Sequence, residues 1–163
     1  SPAEVLRCIN TAMQPTMQRN MFITMVYAVM DIETEQLTLA RAGHELPLFF
    51  DRHTEGGLDV EPIQSPGMAV GMVPPDIFDR TIENTTIHFG PEDALLFYTD
   101  GVTESVNTAG EEYGASRLLD LLRIHGDREA QDIVDITLES IQRFSKGSGD
   151  QLDDLTLIAV KHA

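Results

Sequence analysis

The chain has 163 residues, 42% of them hydrophobic, which is enough to bury the core of one domain and argues against a disordered segment. Its formal net charge of −16 argues against a nucleic-acid-binding protein, because the phosphate backbone would be repelled. No apolar run is long enough to span a membrane, and a single cysteine excludes an internal disulfide framework and fits a reducing cytoplasm.

The first predicted element is a helix at the start of the chain. Ser1 can cap it, Pro2 suits its first position, and Glu4 completes a Ser-x-x-Glu capping box. Apolar residues then recur at helical spacing as far as Met17, and Pro15 is expected to end or bend the helix. Because a capped helix opens the chain, we expect the 163 residues to be a fragment cut at an element boundary.

Five strands are predicted in the middle of the chain. Residues 21–31 carry β-branched and aromatic side chains on both alternating sets, which predicts a strand that is buried on both faces or central in a sheet. Residues 37–43 alternate between apolar and polar and should pair back on that strand as a hairpin. The remaining strands are residues 46–50, 80–89 and 94–99.

The other segments complete a mixed fold. Residues 62–76 are dominated by Pro and Gly, which predicts an irregular connection. Residues 114–126 and 127–145 are predicted helices, the second capped by Asp127, and residues 155–163 form a last strand. A helix, several antiparallel strands, two helices and a strand indicate an α+β fold with sheet layers covered by helices.

Carboxylates stand at the ends of two predicted strands. Asp100 follows one apolar strand, and Asp153 and Asp154 precede another. If these strands are antiparallel neighbours, the carboxylates converge at one edge of the sheet, where like charges repel unless a divalent cation such as Mg²⁺ or Mn²⁺ is bound. From the spacing alone, the simpler alternative is that Asp-Gly is an ordinary turn and Asp153-Asp154 an exposed loop end.

Four motifs follow one another along essentially the whole chain: LTLARAGHELPLFF at 37–50, SPGMAVGMVP at 65–74, LLFYTDGVTESVNTAGEEYG at 95–114 and DQLDDLTLIAVK at 150–161. In this order they resemble the motifs of the SpoIIE-type serine/threonine phosphatases, the bacterial branch of the metal-dependent PP2C-like phosphatases. Two of these motifs are imperfect, because Leu46 replaces the usual first Pro of Ala-Gly-His-x-Pro-Pro and Met68-Ala69 replaces Pro-Leu in the glycine loop.

The resemblance implies a fold, a reaction and a metal site. The fold is a PP2C-like layered β-sandwich flanked by helices, with residues 1–163 as one domain. Asp100 and Asp153 match metal ligands of the family, and Asp154 would support the turn. Two Mg²⁺ or Mn²⁺ ions in the intact domain would activate a water that hydrolyses phosphoserine or phosphothreonine, so no side-chain nucleophile is implied.

The family also has an upstream Gly-Gly-Asp stretch and an Asp-x-x-Gly-(His/Lys)-Gly motif, and neither occurs in the 163 residues. We therefore expect the chain to be the C-terminal part of the domain, without its N-terminal strands and first helix, and weak or inactive alone. Sheet edges exposed by such a cut favour pairing with another chain, as in a homodimer.

The resemblance further implies partners in bacterial cytoplasmic signalling. The typical substrate of the family is a phosphorylated anti-sigma-factor antagonist, and the parent chain would carry an upstream sensor or receiver domain. Two alternatives stay open: a non-catalytic interaction module with an incomplete metal site, and an unrelated α+β binding domain in which the aspartates are only turn residues.

Four further residues are candidates for a role near the aspartates or in the loops. His44 is read as a hydrogen-bonded turn histidine, and Glu104 as a solvated carboxylate, with a role supporting a metal ligand as the alternative. Gly67 and Gly71 either let their loop approach the metal edge or a helix, or reflect turn geometry alone.

Overall fold

The structure, a computed structural model, divides the chain into two compact units. It describes residues 1–18, 20–53, 59–148 and 154–162. The first unit comprises Ser1–Leu46 and Gln64–Gly90, and the second comprises Pro47–Ile63 and Pro91–Ala163. Each unit combines helices with an antiparallel sheet, which confirms the predicted α+β class.

The described stretches contain five helices and seven strands. The helices are α1 (Pro2–Met13), α2 (Pro75–Thr81), α3 (Asp100–Thr103), α4 (Gly114–His125) and α5 (Ala130–Ser145). The strands are β1 (Met25–Asp31), β2 (Gln36–Ala42), β3 (Leu48–Asp51), β4 (Asp59–Pro62), β5 (Thr85–His88), β6 (Ala94–Tyr98) and β7 (Leu157–Lys161). None of the helices in these stretches has the length and hydropathy that crossing a bilayer requires.

Helix α1 forms as its sequence predicts. The capping box is present, with the Ser1 hydroxyl accepting the Glu4 N–H at 3.4 Å. The Ser1 ammonium donates to the Glu4 carboxylate at 2.9 Å, and this hydrogen bond holds the pKa of Glu4 below its ordinary value. The helix ends at Met13, ahead of Pro15, and buries Leu6 on its inner side.

The sheet of the first unit has the order β1-β2-β5, with both pairs antiparallel. The predicted hairpin of β1 and β2 is confirmed, with Tyr27 opposite Ala40. The prediction that β1 is buried on both faces or central is wrong, because β1 is an edge strand among the described residues. Tyr27 is 39% exposed and Val29 is 47% exposed. The residue types reflect β propensity, which does not report how many neighbours a strand has.

Helix α2 occupies part of a segment predicted to be irregular or extended. Its first residue is Pro75, whose fixed φ suits the first helical position, and Asp76 and Arg80 match the helix dipole at its two ends. The predicted strand over residues 80–89 is therefore too long, and only β5 forms. Strand β4, which pairs with β3, was not predicted either.

The glycine loop of the first unit packs against α1. Gly71 has φ +81°, which favours glycine, and its N–H donates to the Asn10 side-chain oxygen at 2.8 Å. A Cβ at Gly71 would overlap the Met17 side chain, and one at Gly67 would overlap the Arg41 carbonyl. Turn geometry and close approach to a helix thus coincide at Gly71.

The sheet of the second unit has the order β4-β3-β6-β7 and is antiparallel throughout. Its core joins side chains of β3 and β6 to the inner faces of α4 and α5. Fully buried members of this core are Phe50, Leu96, Leu118, Leu122 and Ile141.

The connection between α4 and α5 differs from the prediction. Asp127 does not cap α5, which begins at Ala130 after Glu129 and has no side-chain cap. Gly126 closes α4 against the core, and a Cβ there would overlap the Phe50 ring and lie 2.7 Å from the Leu122 carbonyl. Glycine is required at this position for space rather than for its φ, which is −66°.

Candidate metal centre

The end of β6 and the start of β7 lie side by side in the second unit. The two strands pair antiparallel, and Tyr98 is opposite Leu157 in their register. The predicted pairing of these two strands is therefore confirmed, and it brings Asp100 and Asp154 to the same edge of the sheet. Asp153, the second predicted ligand, lies outside the described residues.

Asp100 opens helix α3 directly after β6, so it begins a helical turn rather than only ending a strand. Its carboxylate is exposed at the edge, and one carboxylate oxygen accepts the Gly101 N–H at 3.0 Å. Its carbonyl accepts the Glu104 N–H at 2.8 Å. Gly101 and Val102 are buried and anchor α3 in the second unit. The backbone from which the Asp100 carboxylate projects is therefore held in place.

Thr99 joins the two strand ends. Its N–H donates to the Thr156 carbonyl at 3.2 Å, and its hydroxyl accepts the Thr156 N–H at 3.0 Å. The same hydroxyl donates to the Asp154 carbonyl at 3.3 Å. Three hydrogen bonds thus connect the residue before Asp100 to the segment that follows Asp153.

The remaining candidates do not complete a site. Glu104 is an exposed residue at the C-terminal end of α3. His44 belongs to the first unit, where its Nδ1 lies 3.0 Å from the Thr24 hydroxyl and its carbonyl accepts from Arg41 at 2.6 Å, which confirms that it is hydrogen-bonded. Among the described residues, no three His, Cys, Asp or Glu side chains form a group that could hold a metal ion.

The edge suits a divalent cation in the type of its ligands but not in their number. An exposed carboxylate at a strand end is a hard oxygen ligand of the kind that Mg²⁺ and Mn²⁺ prefer. The described residues bring together too few such ligands for a closed coordination sphere, so a complete centre requires carboxylates beyond Asp100.

The Stage II sporulation protein E (SpoIIE) family matches residues 1–163, the whole chain. The chain belongs to the SpoIIE family. The resemblance recognised from the ordered motifs is therefore confirmed, and the possibility of an unrelated α+β domain is excluded.

Two relatives of this SpoIIE-family chain are longer proteins. Protein IcfG of Synechocystis is 36% identical over 140 residues, which are 86% of this chain and 20% of IcfG. Phosphoserine phosphatase RsbU of Bacillus subtilis is 28% identical over 161 residues, which are 98% of this chain and 45% of RsbU. The chain therefore spans less than half the length of these curated relatives.

A solved structure supports the fold. The SiaA-PP2C domain of Pseudomonas aeruginosa matches with a TM-score of 0.78 at 19% identity, over 99% of this chain and 60% of that one. The SpoIIE-family chain therefore has the fold of a PP2C phosphatase domain over the part that is matched.

The sequence-based prediction of the site overlooked Thr99. The signal available was its position, since a threonine between an apolar strand and an Asp-Gly pair stands where a helix N-cap is common. The hydroxyl does not cap α3. It bonds to β7 instead, and this could be seen only once the neighbouring strand was known.

Proposed function

We propose that this SpoIIE-family chain is part of a metal-dependent protein serine/threonine phosphatase domain, with Asp100 and Asp153 as ligands of the metal centre. The match of the family over residues 1–163 carries the proposal. The position of Asp100 beside the start of β7 supports it, because the pairing of β6 with β7 brings Asp154, the neighbour of Asp153 in the sequence, to the same sheet edge.

Bound Mg²⁺ or Mn²⁺ would lower the pKa of a water and neutralise the charge of the phosphoryl group. The chain contributes the exposed Asp100 carboxylate, anchored through one oxygen by the Gly101 N–H. It also contributes the rigid junction of β6 and β7 that sets where this carboxylate stands. Further carboxylates, which a domain of this family supplies from other segments, complete the ligand set in the proposal.

The proposed substrate is a phosphoserine or phosphothreonine of a partner protein in cytoplasmic bacterial signalling. The relative RsbU is named a phosphoserine phosphatase, and this supports the substrate class. An anti-sigma-factor antagonist is the proposed partner, because it is the typical substrate of the family. A sensor or receiver domain in the same polypeptide is proposed to control the activity.

The test measures Mn²⁺-dependent hydrolysis of p-nitrophenyl phosphate and of a phosphoserine peptide by the full-length protein. We expect Asp100→Asn and Asp153→Asn each to lower kcat by at least about 100-fold, since even residues that only support metal ligands cost about 10- to 100-fold. Asp120→Asn is the matched control, because Asp120 is an exposed aspartate on α4 that pairs with Arg123 at 3.0 Å.

Two results would contradict the proposal. Unchanged activity of Asp100→Asn would exclude Asp100 as a required ligand. Absence of hydrolysis in the full-length wild-type protein with either Mg²⁺ or Mn²⁺ would favour the alternative, a non-catalytic interaction module that retains the fold. The sparse ligand set of the described residues is the observation that keeps this alternative in view.

A further inference from the structure

We propose that Thr99 is a positioning residue, whose hydroxyl holds the Asp154 backbone, at the start of β7, at a fixed place relative to Asp100. The part of the inference that concerns metal binding rests on the proposed function. The part that concerns geometry rests on the hydrogen bonds of Thr99. Thr99 does not itself bind the metal in this proposal.

The backbone carbonyl of Thr99 accepts from helix α3 and not from the opposite strand. In a regular antiparallel ladder, opposite residues alternate between pairs that exchange both N–H to carbonyl bonds and pairs that exchange none, and a residue whose N–H donates to its opposite carbonyl belongs to the first kind. Thr99 faces Thr156, one step beyond the Tyr98–Leu157 pair, and its N–H does donate to the Thr156 carbonyl. Its own carbonyl accepts the Val102 N–H at 3.0 Å instead, which begins helix α3.

The Thr99 side chain supplies the acceptor that its carbonyl does not. The Thr156 N–H, which would otherwise have no acceptor in the ladder, donates to the Thr99 hydroxyl at 3.0 Å. The hydroxyl therefore replaces the carbonyl of its own residue in the last step of the ladder. The chain can leave the sheet at Asp100 and turn into α3 while the pairing with β7 continues one residue further.

The hydroxyl is suited to this place because it accepts and donates at the same time. While it accepts from Thr156, it donates its hydrogen to the Asp154 carbonyl at 3.3 Å. The carbonyl of Asp154 is thereby oriented toward β6. A valine has the same shape but could make neither bond, whereas a serine could make both.

The consequence for function is a coupling between the two proposed ligands. Asp100 is the next residue after Thr99 in the sequence. Asp153 directly precedes Asp154, whose carbonyl accepts the hydrogen bond from Thr99. Loss of the hydroxyl should leave both carboxylates in the chain but free the Asp154 backbone to move relative to Asp100. Residues that orient metal ligands typically contribute about 10- to 100-fold to metal affinity or activity.

The first experiment measures Mn²⁺ affinity of the full-length protein by electron paramagnetic resonance of the free ion. We expect Thr99→Val to weaken binding about 10- to 100-fold and Thr99→Ser to stay within about threefold of wild type. Thr38→Val is the matched control, because the Thr38 hydroxyl also joins two strands, through Thr86 at 2.9 Å, but in the first unit. It should leave the affinity unchanged.

The outcomes separate this inference from the proposed function. If wild-type protein binds Mn²⁺ and Asp100→Asn abolishes binding, but Thr99→Val binds as wild type does, the positioning role is overturned and the proposed function stands. Equal losses in Thr99→Val and Thr99→Ser would also overturn it, because the hydroxyl would then not be the cause. Absence of Mn²⁺ binding by wild type, with no effect of Asp100→Asn, would overturn both.

A second measurement does not depend on metal. Amide hydrogen exchange at Thr156, followed by NMR without added metal, should be slow in wild type and in Thr99→Ser and at least about tenfold faster in Thr99→Val. If Thr156 exchanges in wild type as fast as an unprotected amide, the hydrogen bond to Thr99 is absent and the inference fails. If Thr99→Val does not fold, Thr99→Ala is measured in its place with the same expectation.

Discussion

The side-chain ammonium of Lys161 donates a 2.6 Å hydrogen bond to the backbone carbonyl of Asp127 and joins the end of β7 to the connection between α4 and α5. It also donates to the Arg128 carbonyl at 2.9 Å and lies 3.8 Å from the Glu92 carboxylate. The side chain is only 9% exposed, although it carries a charge. The two carbonyl acceptors and the nearby Glu92 carboxylate compensate for the loss of hydration.

Replacing Lys161 with methionine should therefore destabilise the protein. The stem would still pack, but two carbonyls would lose a charged donor, and we expect the free energy of unfolding to fall by about 1–2 kcal/mol. Urea unfolding followed by circular dichroism measures the change. Lys146→Met is the matched control, since Lys146 is exposed and follows α5. Equal losses in both variants would contradict a specific role for Lys161.

Gly126 has no room for a side chain beside the Phe50 ring. Gly126→Ala should lower the free energy of unfolding by about 1–3 kcal/mol, because the new methyl group would overlap the buried Phe50 ring. The same substitution in a Phe50→Leu background should cost less, since the smaller side chain leaves room. Unfolding of the four proteins gives the coupling between the two sites. An equal cost in both backgrounds would show that the Phe50 ring is not the obstacle.

The edge of β1 leads to the third prediction. Edge strands present unpaired backbone groups to other chains, and Val29 lies on this one with 47% of its surface exposed. We expect the 163-residue chain to self-associate through this strand, and we expect Val29→Lys to reduce the association in sedimentation velocity. Ile124→Lys is the control, because it makes the same charge change at a residue that is 70% exposed and belongs to helix α4 rather than to a strand.

Either of two results would contradict pairing through β1. The wild-type chain could sediment as a monomer at all accessible concentrations, which would exclude the association itself. Alternatively, Ile124→Lys could dissociate it as strongly as Val29→Lys does, which would place the contact elsewhere or attribute it to net charge.

Local patterns in the sequence predicted most of the elements. The capping box of Ser1 and Glu4, the hairpin of β1 and β2, and the two long helices depend on residues close in the chain, and they form as expected. Helix α2 was missed even though Pro75 at its first position was a usable signal. The proline-rich composition around it favours an irregular connection, and this outweighed the helix signal of a single proline.

Properties that depend on distant parts of the chain were harder to predict. The exposure of Tyr27 follows from the edge position of β1, which residue types alone do not encode. Asp127 was expected to cap α5 with its side chain, but its carbonyl instead accepts from Lys161, which is far away in the sequence. For the site, the sequence suggested that β6 and β7 could be antiparallel neighbours, and they are. That the Thr156 N–H donates to the Thr99 hydroxyl instead of to the Thr99 carbonyl could be seen only from the geometry of both strands.

The pairing of β6 with β7 has a consequence for the order of folding. Thr99 and Thr156 are 57 positions apart, and α3, α4 and α5 lie between them. Closing a loop of this length has an entropic cost that the intervening helices, which form from local contacts, do not share. We expect the edge that carries Asp100 to be completed only when the last strand joins the sheet. A chain still emerging from the ribosome would then have its helices before it has the sheet edge that carries Asp100, so that the proposed metal site could form only after β7 has been synthesised.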